Sequence, residues 1–146
     1  MALTVGVSRD ILAPGPPSEV YKAALSVAFK QGSIVAIDTA DGLLKLGAVS
    51  TTLKVLGVSC VDRDTTGMDA DDPLRWIPVE HGTLGWFASD TDADLIEADD
   101  IKKDCYLVDD DTVALTSDTN ARSRAGTIHK VDPDTGLVAV QFEVVR

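Results

Sequence analysis

This chain of 146 residues has little cysteine, little histidine, few aromatic side chains and a deficit of positive charge. Its two cysteines, Cys60 and Cys105, are too few for a disulfide framework. Each sits inside an apolar run, so both are expected as buried thiols acting as small hydrophobes. Thirteen basic residues against 24 acidic ones leave a net charge of −11, which repels nucleic acid and anionic membrane surfaces. No apolar stretch approaches the roughly 20 residues that span a bilayer. The opening MALTVGVSRD has neither a basic segment nor an apolar run of signal-peptide type. The expectation is a soluble chain made in a reducing cytosol, with no nucleic-acid and no membrane partner. Glutamate is scarce as well. Aspartate supplies most of the acid, and threonine and valine are abundant, a composition that favours turns, caps and strands over helices.

Hydrophobic residues make up 45% of the chain, enough for the core of one domain. Residues 1–19 read as an extended N-terminal arm. Three prolines within PGPP remove amide donors from any regular ladder. The arm still carries Leu3, Val5, Val7, Ile11 and Leu12, apolar side chains suited to packing on a neighbour. Residues 20–146 read as a single β-rich domain. VYKAALSVAFK suits helix or strand. From there, eight or nine short strands recur every 8–12 residues, with turns at Asp41-Gly42, His81-Gly82, Asp109–Asp111 and Asp132–Gly136. The fold class is all-β: a compact sandwich or barrel, jelly-roll-like, with an extended arm.

Candidate chemistry is thin. Asp62, Asp64 and Gly67 match the start of a calcium loop, but Pro73 stands where the bidentate glutamate belongs. Asp90, Asp92 and Asp94 begin a similar loop, with Leu95 in place of its glycine and Ile101 in place of its glutamate. Both are expected as solvated loops. His81 and His129 lie far from each other and from the cysteines in sequence, so no zinc spacing occurs. No nucleophile elbow and no phosphate-binding glycine loop is visible. No catalytic, cofactor or metal residues are therefore assigned, and the expected protein is not an enzyme. A small β-barrel enzyme or ligand binder would need a pocket lined by His81 or His129 with nearby acids. Trp76, Trp86 and Phe87 form the main aromatic mass, as inter-strand packing or as a subunit interface. Arg122 and Arg124 stand out in an acidic chain, as a solvated loop or as polar anchors onto an acidic partner.

Several stretches then resemble a known family. The MALT opening precedes an irregular arm. FKQGSIVAID gives a strand, a glycine turn and an apolar strand, and VLGVSCVDRDTTG runs into an acidic loop. IKKDCYLVDDDTVALT resembles a hairpin of the form I-G-K-x-x-Y-V-V-D-D-x-T-V-A, with Lys102 where the family usually has glycine. ARSRAGTIHKVDPDTGLVAVQF resembles the closing hairpin R-S-x-A-G-x-V-x-x-V-D. Together these resemble the head-decoration (capsid cement) proteins of tailed bacteriophages, in the group of Mu-like and related phages. The likeness covers most of the chain and is strongest over residues 101–142. It implies a structural virion protein, made in the host cytoplasm, that binds the outer surface of the assembled head and stabilises the major capsid protein lattice. It also implies a homo-oligomer, trimer first and dimer second. The contact residues expected on this reading are Leu3, Val5, Val7, Ile11, Leu12, Trp76, Trp86, Arg122 and Arg124. The runner-up is a tail or head-fibre module of the same kind of particle.

Overall fold

The computed structural model describes residues 18–82 and 84–143. The chain is all-β, in two modules. The first module is a five-stranded sheet. Its strands are β1 (Ser18–Lys22), β3 (Ile34–Asp38), β4 (Leu44–Leu46), β5 (Leu53–Ser59) and β7 (Trp76–Glu80), in the order β1-β7-β5-β3-β4. The two-residue ladder of β2 (Ala28–Phe29) and β6 (Arg63–Asp64) lies beside it. The second module is a closed five-stranded barrel. It is built from β8 (Leu84–Ser89), β9 (Asp104–Leu107), β10 (Thr112–Ala114), β11 (Arg124–Val131) and β12 (Val138–Gln141), in the order β10-β8-β12-β11-β9. Short 3-10 turns cover Pro73–Arg75, Asp92–Asp94 and Ala98–Asp100.

The hairpin turns lie where the aspartates and glycines put them. Asp41-Gly42 joins β3 to β4, Asp109–Asp111 joins β9 to β10, and Asp132–Gly136 joins β11 to β12. At each turn an aspartate carboxylate accepts a backbone N–H two residues on, from Leu43, Asp111 and Asp134. His81-Gly82 differs. It connects β7 to β8, which belong to separate modules and do not pair. Residues 20–30 form no helix: β1 ends at Lys22, and the Ala23 and Ala24 amides donate to Arg75 O and Leu44 O. The second bond, with the Ala23–Leu44 bridge, draws the β1 and β4 ends of the sheet together. The twelve strands among the described residues exceed the eight or nine expected because pieces of two or three residues, such as β2, β6 and β10, carry too few side chains to show a period.

Each module has its own core. Val35, Leu44, Leu56, Ile77, Val79 and Phe29 fill one. Phe87, Leu107, Val113, Ile128, Val138, Val140 and Phe142 fill the barrel, where Phe87 and Phe142 meet edge to face with centroids 5.6 Å apart. β3 serves both: Ile34 and Ala36 point into the barrel-side core, and Val35 points into the other. That is why IVAI reads as an unbroken apolar run. Cys105 is buried as expected, whereas Cys60, just beyond the end of β5, is only half-buried.

Candidate functional site

On β7, strand alternation turns Ile77 and Val79 into the core and Trp76, Pro78 and Glu80 to the other face. The neighbouring β1 sets Val20 opposite Pro78 and Lys22 opposite Trp76. Trp76 is 48% exposed and Val20 55%, and Leu74 is exposed just before the strand. Arg63 holds this corner, its guanidinium donating to the carbonyls of Leu74 and Trp76 at 3.2 and 3.1 Å. The result is an open apolar stripe on the terminal strand pair of the sheet. Trp76 is therefore not core, and neither is Trp86, which is 47% exposed on the outside of the barrel; of the three aromatics only Phe87 packs inside.

Trp86 pairs across the ladder with Ala139, and Lys130 Nζ lies 5.5 Å from the indole centroid. These residues, with Gly85 and His129, line a cleft of about 210 Å³. A bulge in β11 falls at His129, since Ile128 pairs with Val140 and Lys130 with Ala139.

The two arginines singled out in the sequence are occupied within the chain. Arg122 lies against Asp90 Oδ2 at 3.4 Å and Asp94 Oδ2 at 3.3 Å, and its side chain is only 12% exposed. It also donates to Thr116 O. Asp94 accepts the Thr116 hydroxyl, and that bond, with Arg122 beside it, holds the Asp94 carboxyl below the usual range. The D-x-D-x-D run is thus not a free solvated loop, because a guanidinium sits between its first and third carboxylates. Arg124 bridges Asp104 at 2.9 Å and Glu143 at 2.7 Å. The charges of both arginines are thus met within the chain. The other acidic loop is also in use. Asp62 accepts the Gln31 N–H, Asp64 accepts the Thr66 N–H, and Thr65 is buried with its hydroxyl donating to Ala24 O. Among the described residues no three His, Cys, Asp or Glu side chains converge to hold a metal ion. Nor is any helix there long and apolar enough to cross a membrane.

Leu3, Val5, Val7, Ile11 and Leu12 lie outside the described residues. Ser18 and Glu19, read as the end of the arm, are the first residues of β1. Sequence reasoning missed Arg75, which is buried and bound to backbone carbonyls, Ala23 O through Nε and Nη2 and Ala70 O through Nη1. It also missed Val20 and Lys130. Polar and apolar spacing marks none of these, because their partners come from distant strands. The chain matches no protein-family model, no curated protein and no solved structure.

Proposed function

We propose that this chain is a head-decoration protein that docks on the outer surface of an assembled phage capsid and stabilises the major capsid protein lattice, acting as a homo-oligomer. The observation that carries the reading is the stripe of exposed Leu74, Trp76 and Val20 with half-buried Pro78 among them. An apolar, aromatic patch on an otherwise acidic surface is the composition of a protein contact. It spans β7 and β1, where Val20 faces Pro78. Repetition of such a contact over a lattice turns weak single docking into firm attachment.

Lys102 adds support. It adopts φ +73°, a left-handed conformation that suits glycine, at the position where the resembling hairpin carries glycine. The motif and the backbone thus agree on the special residue in that turn.

The test is the copy number of the chain in purified particles, measured by quantitative mass spectrometry against the major capsid protein. A ratio of one, or a simple fraction of it, is expected. Some tens of copies would instead indicate a tail or fibre component, and absence from the particle would overturn the structural reading. Deletion should stop at residue 17, because removing Ser18 and Glu19 cuts into β1. The shortened protein is expected to keep its thermal midpoint and to bind heads more weakly.

A further inference from the structure

We infer that the cleft beside Trp86 is a binding site for a sugar ring carrying a carboxylate, of the hexuronate kind. Four features meet there. Trp86 offers a half-exposed indole, a flat apolar surface. Lys130 brings an ammonium to 5.5 Å from the ring centroid. Among the described residues Lys130 has no ion pair, although Asp132 in the following turn feels its charge. His129 adds an exposed imidazole at the bulge, and bulges commonly re-aim side chains beside functional sites. Ala139, small and directly across the ladder from Trp86, leaves room in the cleft, which the Gly85 backbone also borders.

The chemistry follows from these groups. In a chain of net charge −11, this cleft pairs two nitrogen bases with one aromatic face. That combination selects an anion attached to something flat. Its volume of about 210 Å³ admits one ring and falls short of the roughly 300–1,000 Å³ of pockets for drug-sized ligands. The cleft is open to water, so the outer side of its ligand stays solvated. A pyranose ring meets that requirement, with one face of C–H groups for the indole and hydroxyls for the solvent. Its carboxylate would accept a charge-assisted hydrogen bond from Lys130.

The site is independent of the capsid reading and stands whatever the particle copy number proves to be. The test uses the full chain with Trp76→Phe, which leaves Trp86 as the only tryptophan. Its emission is followed during titration with sodium glucuronate, glucose and sodium benzoate. A saturable change with glucuronate is expected, about tenfold weaker with glucose and about tenfold weaker in a Lys130→Gln background. Should Trp76→Phe fail to fold, the indole N–H resonance of Trp86 in the unaltered protein gives the same readout. No saturable response to glucuronate, an equal response to glucose, or indifference to Lys130→Gln would each overturn the site. Tighter binding of benzoate than of glucuronate would overturn the sugar assignment.

Discussion

Lys102 sits in a left-handed conformation that costs a side-chain-bearing residue about 1–2 kcal/mol. Its side chain is exposed, and its amide donates to Ile128 O, a bond that glycine keeps. Lys102→Gly is therefore expected to raise stability, by up to about 1 kcal/mol after glycine's extra unfolded-state entropy, in urea denaturation. Arg75 presents the opposite case. Its buried guanidinium ties Ala23 and the loop at Ala70 together, so Arg75→Met strands carbonyls in the interior. A loss of about 2–3 kcal/mol is expected by the same measurement, and an unchanged midpoint would show that the carbonyls find other donors. Asp38 contributes to the acid limb. The Lys45 ammonium at 2.7 Å, helped by the Ala40 N–H, holds its carboxyl at about 2 against 3.8 for a free aspartate. A depressed folded-state pKa means stability that is present above the unfolded value and disappears below it. The thermal midpoint is expected to drop as pH falls from 3.8 toward 2, and Asp38→Asn should flatten that slope. The lowered Asp94 and Asp100 carboxyls act in the same direction.

Among the elements, β5 depends most on a single small residue. A Cβ at Gly57 would lie 1.9 Å from Glu80 O, a backbone atom that cannot swing aside. Gly57→Ala is expected to cost about 3 kcal/mol or more, and near-normal stability would mean that β7 can shift away from β5. The strands themselves were legible. WIPVE alternates Ile77 and Val79 with Trp76, Pro78 and Glu80, and the proline and glutamate mark the outward face on which Trp76 sits. LGWFAS has apolar or small residues on both faces, so the exposure of Trp86 had no such signal. The partners of these strands were also hidden. His81-Gly82 has the composition of a hairpin turn, yet β7 pairs with β1 and β5 while β8 pairs with β12 and β10. Pairing of that kind is decided by long-range packing, which local composition does not encode. The two arginines were conspicuous by charge, but the carboxylates that hold Arg122 are some 30 residues away in sequence, and only the fold brings them together.

At the scale of the molecule, the two modules share β3 and β5, whose Leu53 joins the barrel-side core and whose Leu56 joins the other. Because β3 contributes to both cores, neither module can lose its packing without exposing the other's. Trp76 reports on the sheet and Trp86 on the barrel. Urea transitions followed by fluorescence in Trp86→Phe and Trp76→Phe proteins are therefore expected to share one shape, each agreeing with the far-ultraviolet transition of the same variant. Separate steps within one variant would show that the modules unfold apart. Most of the pairing is also distant in sequence, including the parallel contact between β8 and β10, so folding belongs to the slower range of milliseconds to seconds.

The double-facing β3 also limits how the sequence can drift. A strand with one wet face can exchange half of its side chains freely. Ile34, Val35 and Ala36 have no wet face, and each is wedged against a different set of neighbours. In a saturation library scored for folding, these three positions should form the narrowest gap in the tolerance profile, admitting little beyond near-isosteric apolar residues.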